Sequence, residues 1–143
     1  MARFFIYLLC CALATVCLTA NPPKAKEKQP DLEVENISLH KNGFVHITLK
    51  NKSPVKIPVP PTIKEKIFLV IYIDNLKRAE YKLKYINPKL FLPNGLLRFR
   101  TNFRVPPGIK MKMKAEINKA KIIKELNYRN NRLEKVLQIK PKK

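Results

Sequence analysis

Apolar and polar residues alternate with a period of two along most of this chain. The plainest case is residues 110–117. Met111, Met113, Ala115 and Ile117 lie on one side, and Lys110, Lys112, Lys114 and Glu116 on the other. That period marks a half-buried β-strand, its apolar side to the core and its lysines to water. Pro106-Pro107-Gly108 turns the chain into this strand, and an Asn-rich turn precedes a last apolar run at 133–139. Between them, Ile122, Ile123 and Leu126 would also suit a helical face. Asn127, Asn130 and Asn131 break that pattern, so no helix is expected.

The same reading covers the rest of the chain. Leu32, Val34, Ile37 and Leu39 predict a first strand whose register slips near Asn36, as at a bulge. Asn42-Gly43 predicts a two-residue type I′ hairpin, because both central positions of that turn need positive φ. Val45, Ile47 and Leu49 then point inward and His46 and Thr48 outward, so these two strands should pair. Pro54, Pro58, Pro60 and Pro61 predict an extended crossing without a helix, either a sheet-to-sheet connection or a proline-rich docking segment. Residues 67–73, IFLVIYI, are apolar on both faces, which predicts a central strand shielded on its second side by a loop or a partner. Leu69, Ile71 and Ile73 are the candidate partner surface. Asp74-Asn75 predicts a turn, Tyr81, Leu83 and Tyr85 a further strand, and residues 88–95 a loop. Leu97, Phe99, Thr101 and Phe103 face in, with Arg98, Arg100 and Asn102 facing out. Seven or eight short strands with turn signals between them define the all-β sandwich class.

The ends of the chain differ from this domain. Arg3, the apolar run 4–18 and the small Ala20 after Leu18-Thr19 have the form of a signal peptide, residues 1–20. The run is short for a bilayer crossing. Cys10, Cys11 and Cys17 all lie inside it, so cleavage after Ala20 leaves no thiol and no disulfide framework. Ala14-Thr15-Val16-Cys17 loosely resembles a lipobox, which makes a lipoprotein anchored through Cys17 the alternative; bulky Val16 argues against it. Residues 21–30, rich in Pro and Lys, read as a flexible tether, and 31–140 as one folded domain. The expected location is periplasmic or secreted.

The formal charge is +20, and loss of Arg3 with the leader leaves +19. Such an excess attracts polyanions, and export favours envelope polymers over nucleic acid. Lys110, Lys112 and Lys114 form one candidate polyanion-binding row, with neighbours roughly 7 Å apart. Arg98 and Arg100 form a second, expected on the other sheet. Catalytic chemistry has little to work with. The chain has two serines, two aspartates and two histidines, His40 and His46, and its three glycines all sit in turns. Two histidines without further ligands do not make a zinc site. Asp31, Glu33 and Glu35 alternate along an edge and read as protection against edge pairing. No enzyme, metal or cofactor is expected.

Several stretches resemble one family. Pro30-Asp31-Leu32 opens the first strand, residues 68–74 form the middle, and Pro107-Gly108 precedes the alternating strand. Near the end, Ile123, Glu125, Asn127, Asn130 and Asn131 fall on a pattern I-x-E-x-N-E-x-N-N. Together these resemble the CARDB domain, the cell-adhesion-related domain of bacteria, across residues 31–139. The resemblance implies an immunoglobulin-like, seven-stranded sandwich and a non-enzymatic, extracytoplasmic interaction role. Two positions depart from the pattern: Asn118 and Tyr128 stand where acids are usual. A cation held by that loop would lose two carboxylates, and hard cations need several such oxygens. Glu125, Asn127, Asn130 and Asn131 are therefore expected to form a structural turn. The functional expectation is an envelope module binding a protein or glycan. A salt-dependent binder of anionic polymer is the first alternative, and an exported enzyme of unfamiliar type the second.

Overall fold

The computed structural model describes residues 28–85 and 87–140. The expected leader 1–20, with Cys17, and residues 21–27 of the expected tether lie outside the described residues. Among the described residues, seven strands form two antiparallel sheets. They are β1 (Leu32–Leu39), β2 (Phe44–Asn51), β3 (Phe68–Ile73), β4 (Leu76–Lys82), β5 (Leu96–Arg104), β6 (Lys110–Ile117) and β7 (Arg132–Gln138). One sheet has the order β1-β2-β5, the other β4-β3-β6-β7.

The core fills the space between the sheets, with the inward side chains of β2 (Val45, Ile47, Leu49) facing those of β3 and β6 (Leu69, Ile71, Met113, Ala115, Ile117). Because the side-chain period in a strand is two, a one-residue slip would turn each of these sets outward, so burial itself fixes the register. The slip expected in β1 is present, between Val34 and Asn36. Residue Val34 there donates its N–H to Asn130 C=O at 3.0 Å, which ties β1 to the turn before β7.

The hairpin at Asn42-Gly43 does not take the type I′ turn that its sequence predicts. At Asn42-Gly43 only Gly43 lies at positive φ (86°), and Gly43 N–H closes onto His40 C=O at 2.8 Å. This is a three-residue loop ending in a left-handed glycine, not a type I′ turn. Its geometry follows from the Asn42 side chain, whose Oδ1 accepts from Phe44 N–H (3.3 Å) and sits 2.8 Å from His40 Nδ1. The I′ geometry appears instead at Asp74 (φ 49°) and Asn75 (φ 67°), between paired Ile73 and Leu76.

The proline-rich crossing is a tied element. Asn51, fully buried, donates to Val55 C=O and Leu92 C=O at 2.9 Å each and accepts from Ser53. Contrary to the expectation of no helix, α1 (Pro61–Lys64) makes one helical turn. Pro61 stands at its first position, where the missing N–H has no intrahelical partner to lose. The expected strand over Tyr81, Leu83 and Tyr85 ends at Lys82; Leu83–Tyr85 is a 3₁₀ turn that buries Leu83 and leaves Tyr85 exposed.

Candidate functional site

β3 is central in its sheet, paired to β4 and β6, so its two faces have separate fates. Leu69 and Ile71 have no solvent exposure, and Ile73 packs against the same core. The partner surface expected at Leu69, Ile71 and Ile73 is therefore on the wrong face. Opposite them across the ladder stand Ile117, Ala115 and Met113, all buried, and this match of aliphatic sets turns the odd-numbered residues inward. Phe68, Val70 and Tyr72 form the outer face. The sequence held a signal for this: Tyr72 carries the one hydroxyl in IFLVIYI, and its series is the one whose polar group can reach water.

Over this face the chain lays the loop after β6. Phe68, Val70 and Tyr72, with Ala120 and Ile122 from the loop, line a groove of 410 Å³ rimmed by Lys66, Lys77, Glu80 and Lys119. Tyr72 is its organising side chain. Lys114 Nζ lies 4.0 Å from the ring centroid, and Lys119 Nζ lies 5.6 Å from it while donating to Tyr72 Oη at 3.1 Å. That hydrogen bond raises the Lys119 pKa above its ordinary value. Both contacts hold cations against the ring's negative face. Lys119 and Ile122 escape pattern reading because neither lies on a strand.

The Lys row of β6 is thereby broken into unlike parts. Lys110 is exposed, Lys112 pairs with Glu134 on β7 at 3.0 Å, and Lys114 is drawn over Tyr72. Arg98 and Arg100 lie on the other sheet, as expected, opposite Thr48 and His46. The structure does not join the two rows.

A third arrangement involves Glu125, which is 6% exposed. One carboxylate oxygen accepts from Leu32 N–H at 2.6 Å; the other accepts from the Asn118 and Asn131 amides, the latter at 2.9 Å. Asn118, at φ 50°, also brackets Ile123, and Asn130 donates to Asp31 at 2.8 Å. Burial pushes the Glu125 pKa up, against the pull of these donors. Asn127 accepts from Arg129 N–H, so Glu125, Asn127, Asn130 and Asn131 all stand in one turn. The knot joins the start of β1, the end of β6 and the approach to β7. Among the described residues no three His, Cys, Asp or Glu side chains gather to hold a metal ion. Both Glu125 oxygens already face N–H donors, which is the arrangement of an amide-satisfied carboxylate and does not fit a cation.

This seven-stranded antiparallel sandwich has solved counterparts, although no family model and no curated protein sequence matches the chain. It is similar to the CARDB domain of a Pyrococcus furiosus protein, whose crystal structure is in complex with di-metal ions. The TM-score is 0.59 at 15% identity, over 82% of this chain and 100% of that one. The solution NMR structure of that domain gives 0.51 at 17% identity, over 79% of this chain and 97% of that one. The fold is that of a CARDB domain.

Proposed function

We propose that the chain is an exported, non-enzymatic interaction module that docks an envelope protein on the outer face of its four-stranded sheet. The observation that carries this reading is the groove over Phe68, Val70 and Tyr72. A water-facing sheet surface is ordinarily polar, and a cohesive apolar groove there with a charged rim has the anatomy of a binding site. A protein segment with apolar and acidic side chains fits it better than a glycan. The Tyr72 ring, which a sugar would use for stacking, already has Lys114 over it. The CARDB fold supports a non-enzymatic role, and the leader-like residues 1–20 support export.

Binding of the full chain to envelope fractions across a salt series tests this. Attachment through the groove persists at high salt and is lost in Ile122→Asn while the melting temperature stays near that of the parent. Attachment that collapses with salt, and that falls when Lys110, Lys112 and Lys114 become Gln but not in Ile122→Asn, overturns it in favour of an anionic polymer.

A further inference from the structure

At one end of the outer face of the three-stranded sheet, basic side chains gather that no acid among the described residues pairs with. His40, directly after β1, and His46 on β2 stack with ring centroids 5.3 Å apart and planes 17° from parallel. Across the ladder, Arg100 stands opposite His46 and Arg98 opposite Thr48. The Arg100 guanidinium lies 4.5 Å from the Phe44 ring centroid, which holds it on this face. Acids do occur on β1, but at the other end. Glu35 reaches Lys50 at 3.3 Å and Glu33 reaches Lys52 at 3.8 Å. Among the described residues no ion pair engages Arg98 or Arg100.

A second observation points the same way. His46 Nδ1 is shielded from water yet has no hydrogen-bond partner. His40 Nδ1 is engaged by Asn42 Oδ1, which leaves its Nε2 edge for another partner. The charged and titratable groups facing His46 are Arg98 and Arg100 from β5 and His40 from the loop after β1; desolvation first, and then these groups, hold its pKa below the ordinary histidine value. Arg104, further along β5, is turned to Asn42 C=O at 3.1 Å. Such a cluster stores repulsion that a bound anion relieves.

We propose that His40, His46, Arg98 and Arg100 form a binding site for a phosphoryl oxyanion, with both arginines donating and His46 protonating as it binds. Guanidinium forks match the paired oxygens of a phosphate, and two arginines with two imidazoles offer more N–H donors than a single carboxylate can accept. Arg98 and Arg100 are two positions apart on one strand, roughly 7 Å, so the site can engage neighbouring groups of a phosphate chain as well as a single ion. It lies on the opposite sheet from the groove and stands or falls apart from the docking reading.

The test is a titration of the histidine ring resonances of the full chain by NMR, with inorganic phosphate in one arm and linear polyphosphate in the other. Ionic strength is held constant with chloride. The expected result is saturable movement of the His40 and His46 signals, an upward shift of the His46 pKa on binding, and affinity at pH 6 at least tenfold that at pH 8. Arg100→Gln and, separately, Arg98→Gln each weaken binding tenfold or more, whereas Lys124→Gln leaves it unchanged. Saturation by polyphosphate at far lower concentration than by phosphate identifies a chain as the source; equal response per phosphate identifies the free ion. Movement that chloride alone reproduces, or that Lys124→Gln reduces as much as the arginine variants do, overturns the proposal.

Discussion

The sandwich presents two outer faces that follow different rules. On the three-stranded sheet β2 alternates cleanly, with Val45, Ile47 and Leu49 in the core and Phe44, His46, Thr48 and Lys50 partly exposed. On the four-stranded sheet β3 offers apolar side chains to both sides, and Val70 on its outer face is only 6% exposed. The cause is local cover. The outward side chains of β2 stay partly exposed, whereas the loop after β6 brings Ala120 and Ile122 to the edge of Val70. An alternating strand declares which side is wet. A strand apolar throughout declares only that it is central, and its neighbours decide the rest.

The sharpest test of that contrast uses adjacent residues of β3. Leu69→Ala removes a fully buried side chain and should cost about 2–5 kcal/mol by urea denaturation, the range for cavities in a packed core. Val70→Ala, on the groove face, should cost less than about 2 kcal/mol, because a groove open to water does not keep an empty cavity. Equal losses at both positions would mean that the outer face is a second core and would sink the docking reading.

The Glu125 knot comes next in size. Glu125→Ala strands the N–H donors of Leu32, Asn118 and Asn131 and should cost about 2–3 kcal/mol. Its pH dependence has a definite sign. Burial raises the folded-state pKa above the ordinary 4.5, so the folded protein holds this proton more tightly than the unfolded chain does. The contribution of Glu125 is therefore most favourable below about pH 4.5 and declines as pH rises through the folded-state value. Glu125→Gln keeps an acceptor for the two amides and removes the titration, so stability measured against pH should lose that descending component. A descending component that survives in Glu125→Gln belongs to another group.

Smaller effects separate the hairpins. Gly43 sits at φ 86°, and a Cβ built there would meet Val105 C=O and Ile139 at 3.1 Å. Gly43→Ala should cost about 1–2 kcal/mol, read as a shift in denaturation midpoint. Smallest of all is Tyr72→Phe. It removes the hydroxyl that raises Lys119, so the Lys119 pKa followed by NMR should fall toward its ordinary value with no measurable change in stability. An unmoved Lys119 would show that the two side chains do not meet in solution.

How far the site was legible follows from the same physics. Alternation in β2, β5 and β6 is a local property, and the inward sets read from it are the inward sets observed. The bulge in β1 showed as a slip of that alternation, and the Asn-rich turn as a run of residues that bond their own backbone. The groove was not legible at its proper residues. Two equally apolar series run along residues 67–73, and period two does not rank them. The turn type of the first hairpin was hidden as well, because Asn42 serves its loop through a side-chain acceptor and not through positive φ.

By itself the sequence determined a basic, β-rich chain with seven or eight strand segments, the residues that face inward on alternating strands, and a polar turn before the last strand. These are local consequences of side-chain period and turn chemistry. Only the tertiary structure decided which face of β3 is buried, what the loop over Tyr72 covers, and that Arg98 and Arg100 meet two histidines while Lys112 and Lys114 meet Glu134 and Tyr72. Those outcomes depend on which strands become neighbours, and strand order is set by the burial of the whole core and not by any one segment.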